Sequence, residues 1–268
     1  MVTANRETGS EAGVVIAAAA QEAQAGRWTY YGTASEVAMR RGEGWFAVRT
    51  GASSNDMNGV VSFPGANITA ALIEELRSWF AQAPATWLTP VPDPVLTRRL
   101  IEAGARPERT GYWSGRDMPG AVLPARTGVT IKQVLTGNDL ERWLTVATEC
   151  GWIENGNDRE VRRRLYRSLL RPGSALTHWL ALEGAEPVGF ASSYVHGHVV
   201  DLCNLAVVAS RRRQGIGRAL VSARVAAASS RGATTIVSAP SPDGWAMQQT
   251  LGFRSVAVIP DLCFYLPT

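Results

Sequence analysis

The chain has 268 residues, 46% hydrophobic and 19% charged, with a net charge of +4. That balance excludes a disordered or fibrous protein, and no apolar run approaches the length of a membrane helix. Lys132 is the sole lysine and every other cation is arginine, a compositional bias rather than the clustered basic and aromatic surface of a nucleic-acid binder.

In chain order, residues 14–20 read as part of an N-terminal helix. The run is short, flanked by Glu7 and Glu11, and has no basic leader beyond Arg6, which argues against a signal peptide. Residues 59–63 read as a strand that passes through Pro64-Gly65-Ala66-Asn67 into a helix over 69–80. Trp87-Leu88-Thr89-Pro90-Val91-Pro92-Asp93 ends another strand and opens a helix that stops at Gly104. A strand bearing Tyr112-Trp113 follows. Pro119, Gly120, Pro124 and Gly128 then break periodicity, and a division into domains 1–122 and 128–268 is expected there.

Past that boundary, residues 129–134 read as a strand, Gly137-Asn138-Asp139 as a turn and helix cap, and 140–150 and 159–170 as helices. In the second helix, Arg163, Arg167 and Arg171 form a column opposite Val161, Leu165 and Leu169, the pattern of an amphipathic surface helix. Strands follow at 177–182 and 187–196, joined by Glu183-Gly184-Ala185-Glu186. His196-Gly197-His198 turns into a fourth strand over 199–208. With no cysteine or acidic cluster beside them, His178, His196 and His198 do not form a metal motif. Cys150, Cys203 and Cys263 are odd in number and far apart. They favour a reducing, cytoplasmic compartment over a disulfide scaffold.

The richest stretch is Arg211-Arg212-Arg213-Gln214-Gly215-Ile216-Gly217-Arg218, between that strand and an apolar helix over 219–228. Glycines let the backbone turn and approach a ligand closely. The first N–H groups of the helix lack internal partners and carry the positive end of its dipole, so a diphosphate fits there. Arginines add paired donors shaped for phosphate oxygens. A Walker loop would require Gly-Lys-Ser/Thr, which is absent. A dinucleotide fingerprint would require a third glycine where Leu220 stands, and an acid ending the strand at 234–237. What is left is Arg-x-x-Gly-x-Gly, met by Arg212, Gly215 and Gly217.

That signature resembles the acyl-CoA-binding loop of the GCN5-related N-acetyltransferases (GNAT). So does its setting, with Ala239-Pro240-Ser241-Pro242-Asp243-Gly244 before the last helix and Leu251-Gly252-Phe253 after it. The first part echoes the second. Each has Pro-x-Pro-Asp between strand and helix, a glycine ending that helix (Gly104, Gly252), an arginine two residues later (Arg106, Arg254), and a strand with adjacent aromatics (Tyr112-Trp113, Phe264-Tyr265). The loop at 64–67 has one glycine and no arginine, so the first part resembles a degenerate copy. The implied fold is α/β (α+β), a tandem GNAT arrangement in which helices flank a mixed sheet with splayed fourth and fifth strands.

The resemblance implies an acyl-CoA-dependent N-acyltransferase, using acetyl-CoA as co-substrate and a small-molecule amine as acceptor. Neither nucleic acid nor membrane is expected as a partner, and the protein would be a monomer or homodimer. Leu205, Ala206, Val207 and Val208 would meet pantetheine and the acyl group. Arg212, Arg213, Gln214, Gly215, Ile216, Gly217 and Arg218 would hold the diphosphate, mainly by backbone. At the position of the family's acid tyrosine stands Gln248, which donates a hydrogen bond but supplies no acidic proton. Two other readings therefore stand beside transfer: an acyl-CoA-binding sensor, and a different acyl-CoA reaction such as hydrolysis or decarboxylation.

Asp201 is the carboxylate candidate for the base, against the plainer reading of a surface charge at a strand end. Cys203 is read as a small core residue rather than a nucleophile. Glu149, Trp152 and Glu154 fall where relatives bind acceptors, or form a loop cap packed by Trp152.

Overall fold

The structure is a computed structural model that describes residues 11–80, 83–89, 93–107, 113–117, 128–154, 156–256 and 263–266. Pro90-Val91-Pro92, Tyr112, Pro119, Gly120 and Pro124 lie outside these residues. The first part of the chain contributes α1 (Glu11–Tyr31), β1 (Ala38–Gly42), β2 (Trp45–Arg49), β3 (Gly59–Ser62), α2 (Ala70–Phe80), β4 (Ala85–Leu88), α3 (Pro94–Glu102), β5 (Arg106–Pro107) and β6 (Trp113–Asp117). The second contributes β7 (Thr130–Gln133), α4 (Gly137–Glu149), α5 (Gly156–Leu169), β8 (Leu176–Glu183), β9 (Glu186–His196), β10 (Val199–Asp201) and β11 (Leu205–Val207). It continues through α6 (Ile216–Ser229), β12 (Thr235–Ser238), α7 (Pro242–Gln249), β13 (Arg254–Val256) and β14 (Cys263–Leu266).

Two mixed sheets result, and they exchange strands. One runs β1-β2-β3-β4-β14-β5. The other runs β13-β6-β12-β10-β9-β8-β7, with β11 also on β9. β14, from the end of the chain, pairs antiparallel with β4 and β5. β6, from before the expected boundary, pairs antiparallel with β12 and β13. Each borrowed strand occupies the same place, between the two strands that flank the last helix of the receiving part. The repeat seen in the sequence thus has a spatial counterpart, and two strands cross the linear boundary.

The local signals act as their chemistry requires, with shifts of one or two residues. Asp93 caps α3 by accepting from the N–H groups of Val95 and Leu96 at 3.0 and 2.9 Å, and Pro94 fills the first helical position. In the second Pro-x-Pro-Asp, Ser241 does the capping, through Gly244 N–H at 3.2 Å, and Asp243 enters the first turn. Thr136, rather than the expected Asn138 or Asp139, caps α4, because its hydroxyl reaches the Asp139 N–H at 3.1 Å. That leaves the Asp139 carboxylate for Lys132 at 2.7 Å.

The core does not respect the two parts either. Ile16, Ala17, Ala20 and Ala23 of α1 pack on Val199 and Val237 of the second sheet. The approach is close enough that a Cβ on Gly115 of β6 would lie 2.3 Å from Ile16 Cγ2. Further along α1, Trp28 covers Gly59 of the first sheet, where a Cβ would meet its ring at 2.2 Å. One buried cluster runs through Trp28, Phe46 and Met57 into Trp143, Tyr166 and Phe190.

Residues 128–268 produced alone would lack β6 and α1, leaving an open sheet edge and a bare apolar face. We expect no stable monomer from that segment, and recovery on co-production with residues 1–127, as followed by circular dichroism melting and size exclusion. A cooperatively folding monomer of the segment alone would contradict this.

Candidate functional site

β10 and β12 pair in parallel over Val199–Asp201 and then part. Leu202 N–H still reaches Val237 O at 2.9 Å. Beyond it, Cys203 and Asn204 form an irregular step, with Asn204 at φ 48° and both carbonyls accepting from Ser192 N–H. β11 then stays on β9, with Leu205 opposite Ala191 and Val207 opposite Gly189. Val208 N–H bonds Val188 O at 3.1 Å. Antiparallel alternation therefore turns the Ala206 main-chain groups to β9 and those of Leu205 and Val207 to the open side.

The opening is a cleft of about 560 Å³ between β11, the start of α6 and one face of α7. Leu205, Ala206, Val207, Arg212, Arg213, Gly215, Ile216, Gly217 and Arg218 all line it. Val208 is buried beside it, and Gln214 donates to Ser210 O at 3.4 Å. Gly215 caps α6 at φ 82° and brings no side-chain acceptor, so the first N–H groups of the helix have neither an internal partner nor a side-chain cap. Arg213 is also left-handed, at φ 60°. Most of the arginines are held in place. Arg211 pairs with Glu183 at 2.7 Å, Arg212 Nε donates to Val207 O at 3.1 Å, and Arg218 donates to Thr250 Oγ at 2.8 Å. Gly217 is tightly placed, because a Cβ there would sit 3.3 Å from Met247 Sδ on α7.

The corresponding place in the first sheet is closed. β3 and β4 remain paired through Val61 and Leu88, and Trp87 Nε1 donates to Ser62 Oγ across them at 2.9 Å. The hollow outside them measures about 190 Å³, and Pro64, Gly65, Thr89 and Asp93 are among the described residues that line it, none of which is an arginine.

A profile of the acetyltransferase (GNAT) family matches residues 138–253. Those residues belong to the GNAT acetyltransferase family. Solved structures with the same fold include a GCN5-related N-acetyltransferase from Kribbella flavida, at TM-score 0.66 and 17% identity, over 92% of this chain and 95% of that one. Another is a tandem GNAT protein from the clavulanic acid biosynthesis pathway, at TM-score 0.54 and 14% identity, over 87% and 84%. A third, from Sphaerobacter thermophilus, gives 0.55 and 14% over 84% and 81%. No protein of curated function matches the sequence significantly.

Within the GNAT domain, neither Asp201 nor Gln248 lines the cleft. Asp201 is not a surface charge; it is 3% exposed, and its carboxylate accepts from Arg27 of α1 at 2.8 Å. Burial pushes its pKa up, while Arg27 and then Arg224 pull it down; the net direction is upward. Gln248 is 5% exposed, with Oε1 accepting from Ser114 Oγ of β6 and Nε2 donating to Ser238 Oγ at 3.0 Å. Cys203 is buried and its thiol is pushed up to about 11, chiefly by desolvation and then by Asp201, so no thiolate forms near neutrality. Trp152 packs edge-on against Trp143 at 5.6 Å under the Arg162 guanidinium, while Glu149 and Glu154 face solvent. His196 and His198 flank the β9–β10 turn, and no metal-binding cluster occurs among the described residues.

Two arginines escaped the sequence reading. Arg162 stands next to the Arg163 column but belongs to the buried side of α5 with Leu165, Tyr166 and Leu169; it is 2% exposed and bonds Asp56 at 2.9 Å and Tyr166 Oη at 3.1 Å. Arg27 continues the α1 stripe of Ile16, Ala20 and Ala23 at helical spacing, which is a usable sign that it faces inward.

His178 is buried between Tyr166 and Trp143, with Nδ1 2.8 Å from Ser192 Oγ. Desolvation, then the nearby Arg162 charge, lowers its pKa to about 3. It is therefore neutral in the folded protein at pH 7. An unfolded histidine takes up its proton near pH ~6.5. The associated stability is complete above that pH and declines as pH falls toward the folded value, by at most ~1.4 kcal/mol per pH unit. Denaturant melts of wild type and His178→Asn between pH 7 and 4.5 should show a shallower acid slope in the variant. Equal slopes would contradict the assignment.

Proposed function

We propose that the chain is an acyl-CoA-dependent N-acyltransferase that moves acetyl from acetyl-CoA to the amine of a small molecule. The observation that carries this reading is the cleft itself, in which parted strands meet an uncapped, arginine-rich helix start. The α6 N–H groups, with Arg212, Arg213 and Arg218, suit a diphosphate. The unpaired edge of β11 suits an extended amide-containing arm, which would dock as an added strand. An N–H of Leu205 or Val207 would polarise the acyl carbonyl. A neutral amine then attacks the thioester carbon, the C–S bond breaks, and the amine proton leaves to solvent.

Asp201 and Gln248 take structural roles in this reading. Asp201 is held by Arg27, and both ends of the Gln248 amide are engaged. Among the described residues lining the cleft, Asp243 is the one carboxylate and no tyrosine occurs. We therefore assign protonation of the leaving thiolate to water. The same feature supports the second reading, an acyl-CoA sensor without turnover. We further infer that residues 1–122 are a degenerate GNAT-like part. The unparted β3 and β4 and the arginine-free hollow support this.

Thermal shift with acetyl-CoA tests binding, and thiol release over an amine panel separates an enzyme from a sensor. Thiol release without amine would point to hydrolysis. Gly215→Trp places a bulky side chain on a left-handed residue facing the phosphates. It should weaken acetyl-CoA binding at least ~100-fold. Arg212→Ala should weaken it ~10-fold through one lost charge-assisted contact. Unchanged affinity in Gly215→Trp would remove the site assignment.

A further inference from the structure

Gln248 of α7 sits against β6 and β12, next to the residue that follows β10. Ser114 of β6, fully buried, has its hydroxyl against Gln248 Oε1 and 3.2 Å from Ser238 O. Gln248 Nε2 donates to Ser238 Oγ at 3.0 Å, and Ser238 Oγ lies 3.2 Å from Leu202 O. The directions follow from the donor inventory. An amide oxygen only accepts and an amide nitrogen only donates. Ser114 therefore donates to Gln248 Oε1, with the Ser238 carbonyl as a second acceptor, Gln248 Nε2 donates to Ser238 Oγ, and Ser238 donates to Leu202 O. The glutamine amide supplies both the acceptor and the donor that this relay requires.

The relay runs behind the cleft and ties α7, one of its walls, to the residue before the strand step. Leu202 is the last residue tied to β12 before the step at Cys203 and Asn204. On the other face of α7, Asp243, Met247 and Thr250 line the opening. We propose that Ser114, supplied by the first part of the chain, is a positioning residue of the transferase cleft. Through Gln248 it fixes α7 against the point where β10 and β12 diverge, and so sets the width of the slot for the thioester arm. This rests on the acyl-CoA reading above. It goes further by making a residue of the degenerate part a determinant of the active cleft.

Ser114→Ala leaves Gln248 Oε1 buried without its donor. The two ends of the co-substrate then report separately. Acetyl-CoA spans the slot, while adenosine 3′,5′-bisphosphate would occupy only the region near the arginine-glycine loop. Titration calorimetry well below the melting temperature should show acetyl-CoA binding weakened ~10-fold in Ser114→Ala, with bisphosphate affinity within ~2-fold of wild type. Ser114→Thr, which keeps the hydroxyl, should recover most of the loss. Should Ser114→Ala not fold, Gln248→Met breaks the same chain and is held to the same comparison. A lower melting temperature with unchanged acetyl-CoA affinity, or equal loss for both ligands, would overturn the positioning role. Failure of wild type to bind either ligand would instead overturn the acyl-CoA reading.

Discussion

Leu202 donates its N–H to Val237, and past that bond β11 and β12 take separate courses. A parallel pair that stops midway leaves main-chain donors and acceptors exposed, which is costly unless water or a ligand satisfies them. The left-handed Asn204 and the bifurcated contact from Ser192 keep β11 on β9, so the opening is built into the sheet. The cleft between β11, the start of α6 and α7 opens at that divergence. In the first sheet, β3 and β4 stay paired and Trp87 bonds Ser62 across them, so the same topology yields no slot.

The exchange of β6 and β14 makes the two parts one folding unit. Each sheet needs a strand from the other part, and α1 covers the second sheet while Trp28 reaches the first. Charged side chains meet along the same seam, with Asp201 and Arg162 buried, Arg27 half-buried and Asp56 exposed. Arg27 meets Asp201, and Arg162 meets Asp56 while packing on Trp152. Removing one member of a deeply buried pair is more costly than the pair's net contribution, because the other charge is left uncompensated. By that argument the Arg27–Asp201 pair fixes how the parts fit rather than adding much stability.

Much of the second part was legible because its signals are local. The helix periods of α4 and α5, the turn at Glu183–Glu186, the glycines before α6 and the Leu251-Gly252-Phe253 exit all lie within a few residues of what they determine. Nine of the eleven expected cofactor residues line the cleft for that reason. The α4 cap lies at Thr136 rather than at Asn138 or Asp139 because the Thr136 hydroxyl reaches the Asp139 N–H.

The sequence by itself established the family likeness, the arginine-glycine loop at 211–218 and the lack of arginine at 64–67, since all three are matters of residue type at short spacing. Only the tertiary structure decided which sheet received β6 and β14, that Asp201 faces Arg27 174 residues away, and that Gln248 binds Ser114 at a separation of 134. Backbone pairing is nearly blind to side-chain identity, and a buried polar partner leaves no trace near its mate in the chain. Such contacts are fixed by packing the whole molecule at once.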